Sequence, residues 1–236
     1  MERLAAKSFA NEFRRVSVRA ARAFEQDGKV GVAVALSDHA DALEKIMTLT
    51  MRRALMTFGS RVESDAKSHR ILLEVKDGRS EFSRRAEQYI LHNAAGKVRR
   101  VAETTQRQIA RIIAAGEEEG LAATAIAKSL RTKYPRLLGA LRSVVIARTE
   151  VHAAANAASH EAIEAYDLEK QVKKQWVSAE DDRTRDTHLE ADGQVVEYDE
   201  LFIVGGAELE FPGDPAGPPE EIINCRCIPI YITPEP

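Results

Sequence analysis

Trp176-Val-Ser-Ala-Glu-Asp-Asp-Arg-Thr-Arg-Asp-Thr-His188 opens the part of the chain whose reading decides the fold, and Asn224-Cys225-Arg226-Cys227 closes it. Between them lie Asp192-Gly193-Gln194 and Phe211-Pro-Gly-Asp-Pro215. Turn formers, charges and metal-capable side chains crowd this stretch, and helical periodicity stops before it. Gln171 to Val177 reads as a strand, and so does Ile228 to Thr233, where apolar side chains nearly alternate around Pro229. Asp192-Gly193, Gly205-Gly206, Pro212-Gly213 and Gly217-Pro218-Pro219 mark turns. The reading is a small loop-rich α+β or β module over 170–233, with Pro234-Glu-Pro236 as a frayed end.

Upstream, the period is helical. Phe9, Phe13, Val16, Ala20 and Phe24 stack on one face of a helix over 4–26, which Asp27-Gly28 should end. A second helix is expected from near Ser37 to Gly59, burying Leu43, Met47, Thr50, Ala54 and Phe58. Residues 61–75 form a weaker third, stopped at Asp77-Gly78. From Ser80 to Gly116, Phe82, Ala86, Ile90, Ala94, Val98, Val101, Thr105, Ile109 and Ile112 hold one face. Leu121 to Lys133 is a short helix ended by Tyr134-Pro135. A last one, Leu137 to Tyr166, should bury Leu137, Leu141, Val144, Arg148, Val151, Ala155, Ala158 and Ala162. Arg148 in that row requires a partner, either Glu150 or an acid from the C-terminal region. The fold class is therefore α+β: a predominantly helical N-terminal region with long helices, 1–136, then 137–236, a long helix leading into the small module.

Composition narrows the function classes. Hydrophobic content of 44% with 30% charged residues over 236 positions describes a globular chain with a proper core. The longest early apolar run, Val30 to Leu36, is far too short to span a bilayer, and no signal peptide is expected. Two cysteines in one Cys-x-Cys argue against a secreted disulfide framework and for folding in a reducing cytoplasm. The net charge of −3 hides an asymmetry. Residues 1–150 hold 28 Lys+Arg against 18 Asp+Glu, and 151–236 hold 6 against 19, so the halves carry +10 and −13. Arg15, Arg19 and Arg22 form one basic row, and Arg100, Arg107 and Arg111 another. They lack interleaved aromatics, so they suit phosphates or an acidic partner rather than base stacking. Solvated helix faces, or two halves that attract each other, explain the asymmetry equally well.

His188, Cys225 and Cys227 are the candidate metal ligands, with Asp182, Asp186 or Asp192 to complete a structural zinc site. The competing reading has two small buried thiols and a His188 hydrogen-bonded to a carboxylate, with no cofactor. His188-Leu-Glu190 ahead of two cysteines resembles a zinc deaminase signature, but the pair is Cys-x-Cys and no proline precedes it. Asp181, Asp182 and Asp186 read as a magnesium cluster or, better, as a solvated acidic loop paired with arginines. Arg148, Glu150, Asp182 and Arg183 suggest a polar lock between helix and module. Gly120 to Glu150 reads as a packed helical hairpin in preference to a DNA-reading helix-turn-helix.

The order of these pieces resembles the Mu F-like minor head morphogenesis proteins of tailed bacteriophages. The matching residues are Ala147-Arg148-Thr149-Glu150, Asn156, Trp176, Asp182-Arg183-Thr184, His188, Asp192-Gly193-Gln194, Phe202, Pro212-Gly213-Asp214 and Asn224-Cys225-Arg226-Cys227. The resemblance implies a non-enzymatic head component, in the virion head interior or at the portal vertex after assembly in the host cytoplasm. The implied partners are the portal protein, the major capsid or scaffolding protein, and DNA bound without sequence preference; no membrane and no small-molecule substrate are implied. Many members carry Cys-Pro-x-Cys where this chain has Arg185-Asp186-Thr187-His188, so a four-thiolate zinc site is not fully specified. The alternative from another class is a metal-dependent hydrolase or deaminase-like enzyme acting on nucleic acid through His188, Glu190 and the cysteines.

Overall fold

The computed structural model describes residues 1–68, 78–135 and 139–233. Four helices lead: α1 (Glu2–Ser68), α2 (Gly78–Glu118), α3 (Ala123–Tyr134) and α4 (Ala140–Ala165). A 3-10 turn (Glu169–Gln171) then introduces β1 (Lys173–Val177), α5 (Asp186–Glu190), β2 (Val195–Glu197), β3 (Phe202–Val204), β4 (Ala207–Leu209), α6 (Pro219–Ile222) and β5 (Ile228–Ile232). The class is α+β and mostly helical, as expected. No described helix is long and apolar enough to cross a membrane. The expected helix end at 69–75, the turn at Asp77, Leu137, the division at 136/137 and the tail 234–236 lie outside the described residues.

Two compact units are formed, residues 1–50 with 91–147 and residues 51–90 with 148–236. In the first, Phe9, Phe13, Val16, Ala20 and Phe24 are buried together as their spacing requires. Gly28 interrupts α1 as predicted, with φ 59° and ψ −144°. The helix resumes at once, however, and does not wait for Ser37. Glycine tolerates that single left-handed residue without the steric cost a side chain brings, so only a kink remains. Arg19 is removed from the expected basic row. Its guanidinium donates to Glu12 at 3.0 Å, and Glu12 is buried with His39, whose Nδ1 is also 3.0 Å away. Arg15 and Arg22, and likewise Arg100, Arg107 and Arg111, are exposed.

In the second unit, Gly59 does not end a helix. A Cβ there would sit 2.0 Å from Cζ of Phe82, so the glycine makes room for that ring and α1 runs on to Ser68. The face assigned to the last long helix also needs correction. Leu141 and Val144 are exposed, whereas Ser143 and Ala147 in the first unit are buried. Further along, Ala153, Ala154, Ala157, Ala158 and Ala162 bury more than one side of α4. Small side chains allow neighbouring backbone close on several faces, which a single-stripe reading cannot anticipate.

The sheet has the order β2-β1-β5 with antiparallel pairs throughout; β3 and β4 form a separate antiparallel pair. Lys173 faces Glu197 on one side and Ile232 on the other, and Trp176 faces Pro229. Pro229 has no N–H to donate, and it is accommodated because β5 is an edge strand. Alternation along β1 sends Lys174 and Trp176 inward, both under 2% exposed. Trp176, Ala191, Phe202, Val204, Leu209, Cys225 and Cys227 make the small core of the module.

Candidate metal centre

His188 sits in α5, a single turn, and is only 1% exposed. Its ring meets the edge of Trp176 at 5.5 Å and 84°. Trp176 in turn meets Phe202 edge-on at the same distance. Aromatic packing therefore fixes the plane of the imidazole. On one side, Nδ1 is 3.2 Å from Sγ of Cys227 and 3.7 Å from Sγ of Cys225. On the other, Nε2 is 2.9 Å from Oε2 of Glu221. Thr187 Oγ1 donates to the same carboxylate oxygen at 2.9 Å. Both cysteines are free thiols, 2% exposed. The bond from Cys225 lowers the Cys227 thiol pKa to about 5, against the opposing effect of burial. The same bond, reinforced by burial, pushes Cys225 up.

The three expected ligands thus converge: their donor atoms lie within 4.8 Å of one another. The expected fourth ligands do not join them. Asp182 is 92% exposed and faces Arg183, Asp186 is exposed on α5, and Asp192 accepts the backbone N–H of Ser178 at 2.6 Å. Glu190, the candidate proton carrier of the deaminase reading, is also exposed. Glu221 is the carboxylate at the imidazole. No motif marks it in the sequence; it arrives because α6 precedes the cysteine segment.

A polar framework holds the cysteine segment in place. His152 Nε2 donates to the Cys227 carbonyl at 2.7 Å, and Asn156 Nδ2 donates to it at 3.0 Å. Asn156 also reaches the Pro212 carbonyl at 2.7 Å. His152 and Asn156 are four apart and share a helix face, so one turn of α4 clamps two separate loops. Gly213 closes the second loop against α4, with φ 85°, and a Cβ on it would approach Ala153 Cα to 3.2 Å. Asp214 stabilises the same turn by accepting the N–H groups of Glu210 and Ala216, both at 2.9 Å.

Arg148 donates to the side-chain carbonyl of Asn224 at 3.0 Å, so one of its partners is an amide. Thr149 Oγ1 accepts the Asn224 N–H at 2.9 Å. Of the expected lock, Asp182 and Arg183 do not reach Arg148: Arg183 pairs locally with Asp181 and Asp182. The acid that matters in that loop is Asp181, which takes a two-pronged contact from Arg226. This guanidinium holds the Asp181 carboxyl far below the usual carboxylate range. Gln194, next to Gly193 with φ 74°, accepts the N–H of Ile203 at 2.8 Å and donates to its carbonyl at 3.2 Å. Its amide thereby supplies β3 with the pairing a neighbouring strand would give. Lys174, missed from sequence, donates to the Glu210 carbonyl at 3.0 Å and lies over the Tyr198 and Phe202 rings.

The family model for "Phage Mu protein F like protein" matches residues 103–230, which contain the whole framework just described. An 88-residue segment is 36% identical to the NAD(+)--arginine ADP-ribosyltransferase EFV of Enterococcus faecalis (strain ATCC 700802 / V583), covering 37% of this chain and 18% of that protein. Over 89 residues the chain is 34% identical to the uncharacterized protein YqbB of Bacillus subtilis (strain 168), again 37% of this chain and 29% of the relative. The chain therefore spans under a third of the length of either relative. No solved structure matches it.

Proposed function

The chain belongs to the Phage Mu protein F like family, and from that premise we propose that it is a structural minor component of a tailed-phage head. The family points to head morphogenesis. The single observation that carries a structural role is where the motif's polar atoms are committed. Arg148 and Thr149 hold Asn224, Asn156 holds two loop carbonyls, and Gln194 holds the backbone of β3. A catalytic set leaves such groups facing a substrate cleft, whereas here they tie one segment of the fold to another. The transferase name belongs to a protein of which the match covers 18%, and this reading assigns no such activity to the chain.

In this reading the protein enters the assembling head in the host cytoplasm and ends in the virion, at the portal vertex, with the portal protein as its main partner. Major capsid or scaffolding protein supplies the second contact. The exposed rows Arg15/Arg22 and Arg100/Arg107/Arg111 meet phosphates of packaged DNA without reading sequence. Co-expression with the portal and major capsid proteins of the same phage, followed by affinity capture, tests the docking. Retention of the portal protein is expected. A folded chain that retains neither, and is absent from purified heads, overturns it.

A further inference from the structure

A carboxylate can only accept a hydrogen bond, so the nitrogen of His188 that faces Glu221 carries the ring proton. In the neutral imidazole the other nitrogen, Nδ1, then presents its lone pair, and it presents it to two sulfurs. Carboxylate, imidazole and soft donors in this sequence match the way metal-binding histidines are oriented from their far side. The distances agree. A tetrahedral zinc ion bonds sulfur at about 2.3 Å and nitrogen at about 2.0 Å, which sets nitrogen and sulfur roughly 3.5 Å apart. The two separations here, 3.2 and 3.7 Å, bracket that value.

The segment carrying the thiols is also fixed before any ion arrives. His152 and Asn156 clamp the Cys227 carbonyl, and Arg148 with Thr149 clamps Asn224. Both cysteines belong to the seven-residue core cluster of the module, where a metal would add stability to that of apolar burial. We propose that Cys225 Sγ, Cys227 Sγ and His188 Nδ1 form a zinc-binding centre, with Glu221 as a positioning residue that fixes the imidazole through Nε2. Each thiol releases its proton to solvent as it ligates, and the cation takes the protons' place. Among the described residues, these three supply the protein's own ligands. This centre does not depend on the head-protein reading.

The full chain, purified without a histidine tag under reductant with zinc present, is analysed for metal and then exchanged with cobalt(II). Stoichiometric zinc and a thiolate-to-cobalt charge-transfer band are expected. Cys225→Ser and Cys227→Ser should each lose the band. Because a serine variant that unfolds is uninformative, the wild-type spectrum is decisive and needs no variant. Glu221→Ala should weaken zinc binding 10- to 100-fold, and Glu221→Gln, which keeps an acceptor for Nε2–H, should recover most of it. Folded, reduced wild type that takes up neither zinc nor cobalt overturns the proposal. So does uptake of copper(I) alone, or a Cys225–Cys227 disulfide in the reduced preparation.

Discussion

The guanidinium of Arg148 and the side-chain carbonyl of Asn224 meet at 3.0 Å, and the Asn224 N–H returns to Thr149, the next residue of the same helix. Asn224 makes both bonds from a left-handed backbone, φ 62°, a conformation asparagine accepts more readily than most residues. Helix and cysteine segment are thereby joined at one residue.

Asn224→Ala loses the charged hydrogen bond and places a methyl-bearing residue at positive φ, for a combined cost of roughly 2–4 kcal/mol. Asn224→Gly loses only the bond, so its melting temperature should lie between those of wild type and Asn224→Ala. Equal melting temperatures for all three proteins would remove Asn224 from the lock.

Asn156 donates to the carbonyls of both Pro212 and Cys227. Asn156→Ala orphans the buried Pro212 carbonyl and leaves that of Cys227 to His152 alone, a cost of about 1–3 kcal/mol. Asn156→Asp brings a third acceptor up against them and should be worse than alanine at neutral pH. Chemical denaturation ranks the three, and an aspartate variant more stable than the alanine one contradicts the donor role.

Arg226 lowers the pKa of Asp181 when the chain is folded. The sign follows from linkage. A depressed acid gives its full stabilisation above the unfolded aspartate value of about 3.9, and loses it as the pH drops through the lower folded value. Wild type should therefore shed stability more steeply than Asp181→Asn below about pH 4. Parallel stability curves for the two proteins in that range would dismiss the pair.

Gly59→Ala directs a Cβ into the Phe82 ring. Overpacking of this kind costs about 1–3 kcal/mol even though alanine favours helix. The companion change Gly59→Ala with Phe82→Leu should recover part of it. A single variant as stable as wild type by thermal melting would show that the ring moves aside freely.

If Arg100, Arg107 and Arg111 touch phosphates, duplex DNA is retarded in low-salt gels irrespective of sequence. The triple alanine variant should lower the slope of log affinity against log salt by up to about 3, near 0.9 per contact. No retardation at low salt ends the DNA contact.

The period of the hydrophobic residues made most of the helices legible, because Phe9, Phe13, Val16, Ala20 and Phe24 recur at helical spacing and are buried together. It failed where glycine acts through space. Gly59 resembles a stop in sequence, and only the position of Phe82 reveals it as a gap. Both strands flanking the module were readable, but the three-residue strands between them were not. Strands that short carry no period, and β3 depends on the amide of Gln194. His188 and the cysteines stood out by chemistry. Glu221, Asp181 and Arg226 did not, since a lone charge in a charged loop has no signature until its partner is placed beside it.

The order of strands in the sheet has a consequence for a nascent chain. β1 is the middle strand, yet one of its two neighbours, β5, follows it by some fifty residues and leaves the ribosome after β2, β3 and β4. Until then Trp176 lacks Pro229 opposite it. A transcript cut short before Ile228 would therefore yield long helices carrying an open, adhesive edge. A stop ahead of Ile228 thus leaves β1 short of one partner and is expected to favour misassembly.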